Sequence, residues 1–162
     1  MKLFSTIINR LVTLSACFLI IGLLGCDLKK NITEDQVKFS LDGFFAALDV
    51  DHYDCDKLGE WVTEDFMLYE MEKPFSRNQF CDFVDDALAD MTSTDWVLSD
   101  FTISTDRNSA HVYYRNQGRF VSMGEDGQEM VMNMEWLESA YMVRQKDGAL
   151  KIKFLSSDDI NN

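Results

Sequence analysis

Apolar positions along this chain follow first a helical and then a strand period. Val37, Leu41, Phe44, Phe45 and Leu48 recur at the spacing of one helix face. Thr33-Glu-Asp-Gln36 stands before them as a capping box, hydroxyl and side-chain amide placed to satisfy the first backbone donors. A short second helix is predicted through Leu58, Trp61 and Val62, then a strand from Phe66 to Met71 that Pro74 ends. Ser76-Arg-Asn-Gln79 repeats the capping box, and Phe80, Phe83, Val84, Ala87, Leu88 and Met91 give a third helix with a continuous apolar stripe. From Asp95 to Ser157 the period shortens to two. Trp96–Ser104, Ala110–Met123, Gln128–Gln145 and Ala149–Ser156 are rich in β-branched and aromatic residues and are separated by short turns. Connections this tight make the strands antiparallel neighbours, because a parallel crossover needs a dozen residues or more.

Turn chemistry decides which side chains face inward, since a slip of one residue exchanges the two faces. With three-residue turns at Glu125-Asp126-Gly127 and Lys146-Asp147-Gly148, one face collects Val112, Tyr114, Asn116, Gly118, Phe120 on one strand. Met132, Met134, Trp136, Glu138, Ala140 and Met142 join from the next, and Leu150, Ile152 and Phe154 from the last. The opposite face is mainly polar, with Arg115, Gln117, Arg119, Glu135, Lys151 and Lys153. Two-residue turns would instead set Ile152 and Phe154 beside Val143 and Tyr141. The three-residue reading separates polar from apolar more cleanly and is preferred.

Composition adds an address. A chain of 162 residues, 46% hydrophobic, suits one domain with a real core. Its net charge of −13 becomes more negative once Lys2 and Arg10 leave with the leader, so nucleic acid and anionic lipid surfaces are excluded as expected partners. The leader is Met1–Cys26: a basic end, then an apolar Leu11–Leu24 too short to span a bilayer comfortably. It closes on Leu23-Leu-Gly-Cys26, which resembles the bacterial lipoprotein box, with Leu24 a mild departure. The resemblance implies cleavage before Cys26, acylation of Cys26 and stable anchoring to a lipid bilayer. Asp27 after the cysteine resembles the signal that retains such proteins in the inner membrane, facing the periplasm. Residues 27–32 form a tether of roughly 20 Å at most, and residues 33–162 form the domain.

The order helix, short helix, strand, helix, antiparallel meander, closing on Asp147-Gly-Ala-Leu-Lys-Ile152, resembles the nuclear transport factor 2-like superfamily with its polyketide-cyclase and ketosteroid-isomerase branches. It covers about Ile32 to Ser157. It implies an α+β cone, a strongly curved antiparallel sheet wrapped around three N-terminal helices, with a pocket at the open end. Function is not implied, since the superfamily holds isomerases, hydrolases, cyclases and non-enzymes. Laid on the isomerase pattern, Glu70 takes the base position. Phe44 falls where the helix tyrosine belongs and Ala140 where the strand aspartate belongs.

Several constellations carry chemistry. Glu70, Tyr114, Asn116 and Glu138 form an inward polar group, flanked by Trp61 and Trp136, and are the candidate ligand-binding residues. A carboxylate inside an apolar cone has a raised pKa, which makes Glu70 and Glu138 the candidate general bases. A purely structural hydrogen-bonded cluster is the alternative. Asp49, Asp51 and Glu60 match the first, third and twelfth positions of a calcium loop. Tyr53 stands where an oxygen ligand is wanted and Asp54 where the sharp turn needs glycine, so helix capping is the better account. His52 and His111 have no local metal motif, and neither a metal nor a cofactor is expected. In an exported chain Cys55 and Cys81 are a disulfide or two buried thiols. The leading expectation is a non-catalytic envelope lipoprotein whose cone binds a small apolar ligand or a partner protein. A small hydrolase or isomerase using Glu70 or Glu138, and a structural subunit of an envelope complex, are the alternatives. Tyr113, Leu137, Tyr141 and Val143 on the outer face suggest a homodimer.

Overall fold

The structure is a computed structural model that describes residues 30–160; the lipobox, Cys26 and Asp27 lie outside them. Three helices, α1 (Glu34–Ala46), α2 (Cys55–Trp61) and α3 (Arg77–Leu88), accompany six strands. These are β1 (Val62–Glu70), β2 (Lys73–Ser76), β3 (Met91–Thr105), β4 (Ser109–Met123), β5 (Glu129–Arg144) and β6 (Leu150–Asp159). They form one sheet in the order β2-β1-β6-β5-β4-β3. Among the described residues no helix is long and apolar enough to cross a membrane.

Both capping boxes form as the sequence implies. Thr33 N donates to Gln36 Oε1 at 3.0 Å while the Thr33 hydroxyl accepts from Gln36 N. Ser76 and Gln79 make the same reciprocal pair at the start of α3. The apolar face of α1 is fully used: Val37, Leu41, Phe44, Phe45 and, just beyond, Leu48 are all buried. The stripe of α3 is used differently. Phe80 and Val84 are buried, but Phe83 and Ala87 are exposed, because this helix roofs a cavity rather than closing a core. Met91 belongs to β3, not to the helix.

Both meander turns have three residues. Gly124 pairs with Gln128 around Glu125-Asp126-Gly127, and Gln145 with Ala149 around Lys146-Asp147-Gly148. Gly127 and Gly148 supply the positive φ the turns require. The inward set on β4 and β5 follows, with Val112 opposite Ala140, Tyr114 opposite Glu138 and Asn116 opposite Trp136.

The sheet departs from expectation in three places. First, β6 keeps the expected register only to Ile152, opposite Met142; a bulge then shifts it, so Tyr141 pairs with Phe154. Phe154 is therefore turned outward and 37% exposed, while Leu155 is buried in its stead. The extra residue, Lys153, bends the strand as bulges do. Second, β1 begins at Val62 and runs parallel to β6, Leu68 beside Leu155, so the sheet is antiparallel everywhere but here. Third, Pro74 does not simply end β1. It lies in β2, the edge strand, where a residue without an N–H is tolerated.

Cys55, opening α2, and Cys81 in α3 form a disulfide with a Cα–Cα distance of 5.7 Å. Asp54 caps α2, accepting from Asp56 N at 2.9 Å, and Asp49 accepts from Asp51 N and the Thr94 hydroxyl. These aspartates hold loop backbone. Among the described residues no three His, Cys, Asp or Glu side chains converge as a metal site.

Candidate functional site

A cavity of about 230 Å³ opens between α1, α3 and the concave face of the sheet. Each element contributes by its own periodicity. Phe44 and Phe45 come from α1, Phe80 and Val84 from α3, Asn116 and Phe120 from β4, and Trp136 and Glu138 from β5. The bulge in β6 brings Leu155 and Ser157 into the lining, and Glu70 enters from the end of β1. Aromatic rings build most of the walls: Phe44 stacks on Phe80, and Trp96 contacts Phe45, Phe120 and Trp136. Gly118 makes this cluster fit. A Cβ there would lie 2.8 Å from the Phe120 ring and 2.9 Å from Trp136.

The polar floor is built around Glu138, only 4% exposed. Its Oε1 accepts from Asn116 Nδ2 at 3.3 Å and from the Ser157 hydroxyl at 3.2 Å. Its Oε2, the Asn116 Oδ1 and the Tyr114 hydroxyl complete no hydrogen bond of normal geometry, and neither does the Trp96 indole N–H. Burial raises the Glu138 carboxyl to about 7, against the lowering effect of its neighbours Tyr114, Asn116 and Ser157. Burial also raises Glu70, with the Asp159 charge adding to it. The Tyr114 phenol, wholly buried across the ladder from Glu138, is pushed well above its usual value by burial and then by that carboxylate. Near neutral pH Glu138 is thus divided between an acceptor and an O–H donor. That allows it to anchor a polar group or move a proton.

Of the residues expected to form a site, Glu70, Asn116, Trp136 and Glu138 share this lining, and Tyr114 sits behind it against Glu138. Trp61 does not belong. Its ring lies on Gly43 of α1, where a Cβ would come within 2.3 Å, and packs edge-on against Phe39 away from the cavity. Trp96, Leu155 and Ser157 were missed. The adjacent apolar pair Phe154-Leu155, breaking the alternation of β6, was the available signal for the last two.

The fold has well-populated company. A protein assigned to the nuclear transport factor 2-like family as a dehydratase, from Streptomyces avermitilis, superposes with a TM-score of 0.66 at 12% identity, over 79% of this chain and 97% of that one. A ketosteroid isomerase-like protein from Erwinia carotovora atroseptica gives 0.59 at 12% identity, covering 81% and 100%. The chain has the nuclear transport factor 2-like fold. The CaMKII hub from S. rosetta is similar too, with a TM-score of 0.61 at 15% identity over 78% of this chain and 95% of that one. No protein-family model matches the sequence, nor does any curated protein. At these identities the likeness speaks for the cone and leaves the chemistry of the pocket to its own residues. Phe44 and Ala140, which the sequence resemblance sets against the two oxyanion-donor positions of the isomerase pattern, are both buried and carry no polar group.

Proposed function

We propose that this chain is an envelope lipoprotein whose cone binds a small, largely apolar ligand. The observation that carries the binding half is a cavity of about 230 Å³ whose walls are largely aromatic and apolar, with Glu70, Asn116, Glu138 and Ser157 the few polar residues of its lining. Such a lining, apolar walls with a few placed polar groups, suits a small ligand whose body displaces water from the aromatic surfaces. The lipoprotein half rests on the leader and the Leu23-Leu-Gly-Cys26 box, with Asp27 favouring the inner membrane. The residues between Cys26 and Ile32, which is itself buried in the core and donates its N–H to Asp106 O, then tether the domain close to the bilayer on the periplasmic side. Cys26→Ser is expected to abolish fatty-acid labelling; unchanged labelling would refute the anchor.

Binding is tested with an apolar naphthalene-type dye that fluoresces on leaving water. Saturable one-site binding is expected, lost in Ala87→Trp, which fills the mouth beneath α3. Dye binding that never saturates, or that survives the filled mouth, would refute the reading.

Glu138, with a pKa near 7, favours a second reading, an acid–base enzyme working through Glu138 or Glu70. Steroid isomerisation is not its chemistry. Losing even one oxyanion donor costs about 10²–10³ in rate, and both donor positions are apolar. We also propose a homodimer through the convex face, where Tyr69, Val97, Tyr113, Tyr141 and Phe154 are exposed. Sedimentation showing monomer alone at tens of micromolar, roughly −6 kcal/mol on the affinity scale, would count against it.

A further inference from the structure

The mouth of the cavity carries exposed apolar side chains. Met71, Phe83, Met130 and Met132 are between 36% and 59% exposed. Met71, Phe83 and Met132 belong to the cavity lining, and Met130 follows Met132 on the same face of β5 by alternation. Half-buried Met91 and Met134 continue the patch inward. Its border is acidic. Glu72 adjoins Met71, Asp86 lies one turn beyond Phe83 on α3, Asp90 follows that helix, Glu129 precedes Met130, and Asp158 and Asp159 end β6; all are exposed. Segments 70–73, 82–91, 123–134 and 156–160, which carry the patch and its border, contain a single cation, Lys73. We propose that this rim docks a cationic amphipathic segment of a partner protein. The segment's apolar side lies on the methionines and its lysines or arginines lie against the bordering carboxylates.

Chemistry, charge and position each narrow the occupant. An apolar patch rimmed by polar residues marks a surface that a partner covers, and unbranched methionines adapt to side chains of more than one shape. Carboxylates around an apolar centre steer a positive partner in and fix its register. A second copy would set the same carboxylates against them, and anionic headgroups would be repelled. Position separates the rim from the anchoring bilayer. Ile32, where the chain leaves the core toward the tether, donates to Asp106 O beside the start of β4. From there the 15 residues of β4 lead to Ser122 and Met123, opposite Met130 and Glu129, a path of roughly 45 Å along the strand. Around Ile32 the charges are mixed, with Lys30, Lys38, Arg107, Arg144, Lys146 and Lys151 offsetting the acids. The acidic rim is thus the end far from the tether.

The dock goes beyond the ligand reading and does not need it. Met130, Asp86, Asp90 and the other bordering carboxylates lie outside the cavity lining, so they can be altered while the cavity stays as it is.

The test is fluorescence anisotropy of labelled peptides added to the full chain in a nonionic detergent, with protein-free micelles as the blank. One peptide is a lysine–leucine helix with its leucines on one face. The second replaces lysine by glutamate, and the third scatters the same leucines around the helix. The first is expected to bind saturably, the third about tenfold more weakly, and the second not at all. Asp86→Lys with Asp90→Lys, and separately Met130→Asp, are expected to weaken the first peptide about tenfold at unchanged dye affinity. Glu60→Lys with Glu64→Lys makes the same change of net charge near Val62, which pairs with Ile152 in the filled part of the sheet. It is expected to weaken binding less than about twofold, since screening confines the effect to nearby charges. A photoreactive leucine in the first peptide should crosslink the unaltered protein at Met71, Phe83, Met130 or Met132, which serves should a rim variant fail to fold. Equal losses from the two charge pairs, equal binding of the scattered peptide, or crosslinks outside the rim would overturn the dock. Self-association that disappears in Met130→Asp would assign the rim to a second copy and overturn it too. Peptide binding without dye binding upholds the rim and refutes the cavity as a ligand site; dye binding without peptide binding does the reverse.

Discussion

The two halves of the concave sheet face are made by one alternation yet finish differently. Where β4, β5 and β6 approach the Lys146-Asp147-Gly148 turn, the inward residues are Val112, Ala140, Met142 and Ile152, none with any exposure. There α1 lies directly on the sheet, and the Ser40 hydroxyl donates to Leu150 O at 2.9 Å in a buried contact. Toward the Glu125-Asp126-Gly127 turn the same face carries Asn116, Trp136, Met134 and Met132, and Met132 is 48% exposed. The Tyr114–Glu138 rung divides the filled half from the hollow one. Inward-facing position therefore does not mean buried position. What covers the face decides, and α3 stands off where α1 does not.

The sharpest way to break this contrast is to truncate the same side chain in each half. Met142→Ala, in the filled half, is expected to cost about 2–5 kcal/mol, transfer and cavity terms together. Met134→Ala, at the mouth, is expected to cost under about 1 kcal/mol, in line with substitutions away from a packed core. Urea unfolding at one pH measures both, and equal losses would mean that the hollow half is packed in solution.

The disulfide comes next, because it secures the roof. It closes a loop of sequence separation 26 and joins α3 to α2, which packs on α1 and β1 in the filled half. Replacing both cysteines by serine is expected to lower stability by about 3–4 kcal/mol on the chain-entropy model. The dye site should weaken before global unfolding as the roof loosens. Identical midpoints for the oxidised and doubly substituted proteins would refute this.

Glu138 offers a pH test of the dividing rung. Its carboxyl sits at about 7 when folded against an ordinary 4.5, so the folded state holds the proton more tightly. Its contribution is most favourable below pH 4.5 and is lost as pH rises to 7, in total about 3 kcal/mol. Glu138→Gln lacks that loss. Relative to the unaltered protein it should gain about 3 kcal/mol between pH 4.5 and 8, with the other carboxylates cancelling in the difference. A difference flat across that range would mean that the carboxylate is solvated.

The filled half was readable from sequence because regular alternation and two Asp-Gly turns determine it. Knowing the turn length placed Val112, Ala140, Met142 and Ile152 at once. The hollow half was read only in part. Glu138 and Asn116 followed from the same register, but the bulge at Lys153 depends on β6 pairing with β5 on one side and β1 on the other, and its one local mark is the adjacent apolar pair Phe154-Leu155. It moved Phe154 out and Leu155 and Ser157 in. Trp61 was misplaced because its partner is a glycine, Gly43, whose missing side chain gives no hydrophobic signal. Pro74 read as a stop because an edge strand and a loop tolerate it equally.

The smallest effect concerns the turns at the two ends. Around Lys146-Asp147-Gly148 the positive φ falls on glycine, as the geometry asks. At the mouth, the two-residue turn between β1 and β2 places Met71 at φ 50 and Glu72 at φ 61, with Glu70 paired to Lys73 across it. Both central residues at positive φ make this the hairpin turn that favours Asn-Gly, and a side chain at such a φ costs about 1–2 kcal/mol. Met71 lines the cavity and Glu72 does not, so the second position can be relieved without touching the site. Glu72→Gly is expected to raise stability by about 0.5–1 kcal/mol, the relieved strain less the added freedom of the unfolded chain. Gly148→Ala, at the other end, should lose about 1 kcal/mol or more for the converse reason. Urea midpoints at constant m-value measure both, and dye affinity should be the same in Glu72→Gly as in the unaltered protein. A loss of stability in Glu72→Gly would mean that the mouth turn adopts another backbone, and Met71 would then lose its place at the rim.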